Sequence, residues 1–267
     1  MLCHRLIARL DIKGPSVVKG IHMEGLRVMG KPAEMATRYA DDGADELLYI
    51  DTVASLYGRN QLESLLRTTS EKVFIPITVG GGINDLEDAR RLFNSGADKI
   101  AINTGAIKKP ELVDAIAGTY GSQAVVISIQ AKRTATGWEA YTDCGREKTG
   151  KDAIAWAHEA VRLGAGEILA TSIDRDGTRR GYDIDLCEAL ADLPVPVVAC
   201  GGMGHTMHLK EVFETGITAA AFASVLHYGK YTMKEIKDVL SRERWPIRQP
   251  AEIDLPYRRS LAGSGKA

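Results

Sequence analysis

The sequence predicts an α/β chain folded as a single (β/α)8 barrel, and three observations carry that expectation. Eight short apolar runs rich in β-branched residues recur along the chain. Segments with helical spacing of apolar residues lie between most of them, and the chain resembles itself at half length. The runs are continuous rather than alternating, as in a parallel sheet buried on both faces.

In chain order, the first run is LIARLDI (6–12), followed by a long loop that carries Lys19, and then by PAEMATRYADDGA, whose apolar residues recur at helical spacing. ELLYIDT (46–52) and FIPITVG (74–80) are the second and third runs, and LEDARRLFNSGA returns the chain to KIAINTG (99–105). KPELVDAIAGTYG leads to AVVISIQ (124–130), and DAIAWAHEAVRLGA leads to EILATSI (167–173). VPVVACG (195–201) and AAAFASV (219–225) complete the set. Several of the helical segments run into a Gly, where a left-handed C-cap is wanted. GADELLYIDTVAS matches GAGEILATSIDRDG, and IPITVGGGI matches VPVVACGGMG, so each half is an expected (βα)4 unit. Residues 1–242 are assigned to the barrel, and 243–267 to a C-terminal strap with a disordered end.

Composition narrows the function classes. A length of 267 residues with 45% hydrophobic content suits one such barrel. The 34 basic and 35 acidic residues are interspersed, which argues against nucleic acid or an anionic membrane as partner. Cys3, Cys144, Cys187 and Cys200 form no CxxC pair, so reduced thiols, a cytoplasmic setting and no metal cage are expected. His205 and His208 have HxxH spacing without an evident third ligand, and Trp138, Trp156 and Trp245 are scattered as packing residues are. No run approaches the ~18 apolar residues that a membrane span requires.

Chemistry in such barrels sits at strand C-termini. The polar residues expected there are Asp11, Lys13, Asp51, Asn103, Thr104, Gln130, Lys132, Ser172, Asp174, Asp176 and Ser224. Any one of them could instead cap a helix or bond to loop backbone. Gly80-Gly81-Gly82 and Gly201-Gly202 let backbone N–H groups approach a ligand, beside Asn103-Thr104 and Ala223-Ser224 respectively. Two anion cradles across the mouth suit an elongated bisphosphate. Asp11 lies between them as a candidate acid/base; its partner in the repeat is Gln130, which cannot exchange a proton at neutral pH. At the opposite strand ends, Arg5, Glu46, Lys99 and Glu167 would form a four-charge ring if they point inward, acting either as a structural plug or as a gate.

Through RLDIKG, VVKG, DELLYIDTVAS, TVGGGI, ADKIAINTGA, GSQAVV, GAGEIL, TSIDRDGTRRGYD and ACGGMG the chain resembles the cyclase subunits of imidazole glycerol phosphate synthase, the HisF family, from Met1 to about Arg242. The resemblance implies a TIM barrel and a lyase-type synthase of histidine biosynthesis. Such an enzyme joins ammonia to a phosphoribulosyl formimino carboxamide ribotide, releases imidazole glycerol phosphate and an aminoimidazole carboxamide ribotide, and needs no cofactor. It also implies a heterodimer with a separate glutaminase that supplies the ammonia. Carried onto this chain, Asp11 is the acid/base, while Lys19, Asp51 and Asp176 contact or support substrate. Gly82, Asn103 and Thr104 match one phosphate site, with Gly81 beside them; Gly177, Gly202 and Ser224 match the other, with Gly201. Arg5, Glu46, Lys99 and Glu167 match the ammonia gate.

Four departures stand out. The second catalytic aspartate is Gln130, the first loop reads KGPS (13–16) in place of KDGR, and Cys144 and Cys200 replace serines. Losing a principal acid/base costs orders of magnitude in rate, so reduced cyclase activity is expected. Two other functions share the pattern: ammonia transfer that forms an amidine on a nucleotide-linked sugar for surface polysaccharide, and a catalytically reduced barrel that activates its glutaminase.

Overall fold

The computed structural model describes residues 3–54 and 62–249. The eight apolar runs become the barrel strands β1 (Arg5–Lys13), β4 (Glu46–Asp51), β5 (Ile77–Gly80), β6 (Lys99–Ile102), β7 (Val125–Arg133), β10 (Glu167–Ser172), β11 (Val197–Cys200) and β12 (Ala219–Phe222). All pair in parallel in the circular order β1-β4-β5-β6-β7-β10-β11-β12, and β12 returns to β1. The remaining four strands form two antiparallel excursions at matching places in the two halves. β2 (Ser16–Ile21) and β3 (Glu24–Gly30) follow β1, while β8 (Trp138–Thr142) and β9 (Glu147–Asp152) follow β7. The long first loop is therefore corrected: Lys19 lies on a strand of a hairpin.

Helices cover the outside: α1 (Pro32–Asp41), α2 (Leu62–Ser70), α3 (Leu86–Asn94), α4 (Thr104–Lys108), α5 (Glu111–Tyr120), α6 (Ala153–Arg162), α7 (Ile184–Leu190), α8 (Met207–Glu214), α9 (Ser224–His227) and α10 (Met233–Arg242). Their starts have identifiable chemistry. Pro32 opens α1, Asp85, Asp152 and Asp183 accept N–H groups in the first turns of α3, α6 and α7, and Thr232 with Glu235 forms a capping box on α10.

Strand bounds differ from the expected runs for local reasons. The third run begins only at Ile77, because Phe74 is 71% exposed and Pro76 has no N–H to give a ladder. The fourth and eighth runs stop early because Thr104 and Ser224 already begin helices.

The apolar residues form two nested cores. One fills the lumen with Ile7, Leu48, Ile50, Ala101, Val126, Leu169, Val198, Cys200, Ala219 and Ala221. The other, larger core fills the space between strands and helices, with the fully buried Trp156 in it. Behind this second core the C-terminal segment is tied down. Lys237 donates to Asp45 Oδ1 at 2.7 Å and to the Arg248 carbonyl at 2.8 Å, while Asp45 Oδ2 accepts the Leu6 N–H at 2.8 Å. Ile247 bridges in parallel to His4, whose N–H donates to the Pro246 carbonyl at 2.7 Å. The expected disordered tail, 250–267, lies outside the described residues.

Candidate functional site

The first glycine loop follows β5. Gly81 and Gly82 adopt φ of +110° and +70°, and a Cβ on Gly81 would lie 2.6 Å from the Asp51 carbonyl oxygen, so only glycine lets this loop lie against β4. Here Asp51, Gly81, Gly82, Asn103, Thr104, Ser128, Gln130 and Cys144 line one pocket. Asp51 Oδ1 accepts the Val53 and Ala54 N–H groups at 2.9 Å each. Burial raises its pKa more than those two bonds lower it. The hairpin β8–β9 leans on this pocket. Asn103 Nδ2 donates to the Tyr141 carbonyl at 3.0 Å, Thr104 Oγ1 accepts the Asp143 N–H at 3.2 Å, and the Cys144 thiol donates to the Thr52 carbonyl at 3.0 Å. Burial, with Asp11 adding to it, pushes the Cys144 thiol up to about 11, which favours the protonated thiol at neutral pH.

The second glycine loop follows β11. A Cβ on Gly202, at φ +110°, would meet the Gly181 carbonyl oxygen at 2.0 Å. Gly201, Gly202, Gly177 and Ser224 line this pocket together with Lys19, Asp176 and Arg9. The β2–β3 hairpin closes one side of it. Lys19 Nζ donates to both oxygens of Asp176 at 2.9 and 2.8 Å, the Met23 N–H donates to Asp176 Oδ2 at 3.3 Å, and the His22 N–H donates to the Asp176 carbonyl at 2.9 Å. Gly177 has φ +72°, and a Cβ there would strike the Gly20 carbonyl oxygen at 2.3 Å, so the hairpin and the DRDGT loop touch through bare backbone.

Asp11 ends the inward face of β1 between the two pockets and is 5% exposed. It accepts from Arg9 Nε at 2.8 Å and lies 3.8 Å from Lys19 Nζ. Burial raises the carboxyl's pKa, but the Arg9 guanidinium and the Lys19 ammonium outweigh it and hold the group below its ordinary value. Gln130 lies on β7 in the other half-barrel, three residues before the strand's end, buried and with its Oε1 lacking any partner.

At the opposite end the four floor charges do point inward and meet. Arg5 donates to Glu46 at 2.7 Å and to Glu167, while Lys99 donates to Glu46 at 3.0 Å and to Glu167 at 2.9 Å. The alternation of two cations and two anions closes a ring across β1, β4, β6 and β10.

Arg9 and His227 were not singled out from the sequence. Arg9 has a legible signal, a cation in the same odd-numbered register as Arg5, Ile7 and Asp11 within an apolar run. His227 had none, being the last residue of a four-residue helix. Its Nδ1 pairs with the Tyr39 hydroxyl at 2.7 Å and its Nε2 is buried without a partner. Burial lowers its pKa from 6.5 to about 4, with Asp11 pulling weakly the other way. Between those values the unfolded chain binds a proton that the folded chain refuses, so stability is full above about 6.5 and falls as pH drops toward 4. Melting temperatures measured across that window should fall less steeply in His227→Asn than in the unaltered chain.

His205 and His208 cap local backbone: His208 Nδ1 accepts the Gly204 and His205 N–H groups, and His205 Nδ1 accepts the Met207 N–H. Among the described residues no group of three or more His, Cys, Asp or Glu side chains is placed to hold a metal ion, and no helix is long and apolar enough to cross a membrane. Cys3, Cys144, Cys187 and Cys200 are unpaired thiols.

Comparison with known proteins gives a concordant set. The family described as "Histidine biosynthesis protein" matches residues 5–232. Among the similar proteins are relatives named imidazole glycerol phosphate synthase subunit HisF. The one from Legionella pneumophila is 59% identical over 202 residues, covering 75% of this chain and 95% of the relative. Those from Thermococcus onnurineus and Pyrococcus furiosus are each 46% identical over 249 residues, covering 93% of this chain and 99% of the relative.

Proposed function

This chain belongs to the histidine biosynthesis protein family, and from that premise we propose that it is the cyclase subunit of an imidazole glycerol phosphate synthase, using ammonia from a separate glutaminase. The observation that carries the reading is the pair of glycine-loop pockets on either side of one buried carboxylate, Asp11, at the C-terminal mouth of the barrel. A substrate with a phosphate at each end would place its middle over Asp11. Gly81, Gly82, Asn103 and Thr104 receive one phosphate. Gly177, Gly201, Gly202 and Ser224 receive the other, with Lys19 as the counter-charge and Asp176 holding Lys19 in place. Asp11 exchanges the proton with the reacting centre. Asp51, its oxygen occupied by backbone N–H groups, shapes the first pocket rather than reacting.

Ammonia enters through the floor. Arg5, Glu46, Lys99 and Glu167 form the gate, beyond which aliphatic and small side chains such as Ile7, Leu48, Val126 and Ala219 line the lower lumen as far as Arg9, a stretch that uncharged ammonia crosses with no ion to desolvate. Gln130 leaves the mouth without its second acid/base, and turnover is reduced accordingly. The protein works in the cytoplasm as a heterodimer with the glutaminase and needs no cofactor.

One observation favours a second reading. The floor ring is complete while the substrate end has lost a carboxylate, as expected if ammonia were delivered to another acceptor, such as a nucleotide-linked sugar that becomes an amidine. Steady-state turnover of the full chain on the phosphoribulosyl formimino carboxamide ribotide with ammonium salt separates the two. Release of aminoimidazole carboxamide ribotide is expected; tight binding with no release at saturation would transfer the assignment to the second reading.

A further inference from the structure

A guanidinium inside a barrel lumen has to be explained, because a buried charge is tolerated only when it is paired. Arg9 is 5% exposed, two residues below Asp11 on the inward face of β1. Its Nε donates to Asp11 Oδ1 at 2.8 Å, and its Nη1 reaches Thr171 Oγ1 on β10 at 3.3 Å and Cys200 Sγ on β11 at 3.2 Å. To get there the side chain crosses β12, whose inward residues are Ala219 and Ala221. Small residues on that strand are what leave the path open. In the other half-barrel the positions matching Arg9 and Asp11 are Ser128 and Gln130, so one half presents an ion pair and the other a neutral polar pair.

We propose that Arg9 is a positioning residue for Asp11: anchored by Thr171 on β10 and Cys200 on β11, it fixes the direction of the Asp11 carboxylate and sets a positive charge against it, so that Asp11 serves as the proton acceptor. The proposal rests on the reading of Asp11 as the acid/base. Only a planar fork can fix that direction, since the donor facing Asp11 and the donor facing β10 and β11 leave the same rigid group in different directions. The other charged or titratable groups around Asp11 are few. Lys19 faces it from β2 and is itself held by Asp176; the His227 ring from α9 and the Cys144 thiol from the β8–β9 turn both feel its charge. Burial opposes the charge on Arg9, yet Asp11, first among its neighbours, raises the pKa of the guanidinium well above its ordinary value, so Arg9 never deprotonates and its pull on Asp11 is permanent.

The test follows the Asp11 carboxyl itself. In the full chain carrying ¹³C-labelled aspartate, the Asp11 resonance is identified by its loss in Asp11→Asn and titrated in the unaltered protein, in Arg9→Met and in Arg9→Lys. The midpoint is expected to rise by about 1–3 units in Arg9→Met and to stay low in Arg9→Lys, which keeps the charge. With substrate and ammonium salt, Arg9→Lys should still lose kcat by about tenfold to a hundredfold with little change in KM, because the fork is gone. If Arg9→Met does not fold, Arg9→Gln carries the same expectation for the midpoint. An Asp11 midpoint that does not move on removing the guanidinium, or full kcat in Arg9→Lys, overturns the proposal and leaves Arg9 a lumen filler. Absence of turnover in the unaltered chain would instead count against the proposed reaction, since the titration requires no substrate.

Discussion

Asp11→Asn should lower turnover by about 10²- to 10⁴-fold, the usual contribution of a positioned acid/base, while the bisphosphate still binds. Asparagine keeps the shape and can still accept the Arg9 Nε–H through its carbonyl oxygen, but it can neither take a proton nor balance charge. Two buried cations, Arg9 and Lys19, then share a pocket with Asp176 as the remaining anion among their bonded partners. The variant should therefore melt at a lower temperature as well as turn over slowly. Its affinity for the anionic substrate should hold or rise, because the second pocket becomes more positive. Turnover, melting and substrate affinity measured together separate these effects. A variant that folds, binds and still turns over within tenfold of the unaltered chain would show that the proton moves through another group.

The barrel was legible because its strands are buried on both faces. ELLYID, KIAI and AAAF have no polar side to interrupt the apolar signal, and the half-length repeat then fixed how eight such strands are arranged. The two hairpins were not legible, for the converse reason. In EGLRVMG most residues are exposed, with Val28 at 69%, and EKTGKD buries none, so neither segment has a face whose periodicity could be read. The glycine loops were visible as Gly-Gly pairs, whereas the reason for Gly177 was not, because the Gly20 carbonyl that excludes its Cβ comes from one of those unread hairpins. Arg9 shows the limit most clearly. Its inward register with Asp11 was available, but its value depends on Thr171 and Cys200, which lie 162 and 191 residues away in the chain.

Gln130→Asp should raise cyclase turnover about tenfold to a hundredfold, recovering part of what a second acid/base contributes. The present carboxamide offers a buried Oε1 that nothing donates to, and it can neither give nor take a proton. A carboxyl put in its place would be buried without a cation at hydrogen-bond distance, so desolvation would push its pKa up and keep it protonated near neutral pH. Across the lumen mouth Asp11 is held low by Arg9 and Lys19. The pair would then be split into an acid and a base by environments already in the fold, the arrangement that lets two carboxyls share one reaction. The pH dependence of kcat should change with it, gaining a basic limb as the introduced acid ionises, while KM stays within a few-fold because the phosphate pockets are untouched. A chain that binds the bisphosphate as before, folds as before and gains nothing from the new carboxyl would mean that the reaction at this mouth has no use for a second acid. Ammonia would then be arriving, through the same floor ring, for a different acceptor.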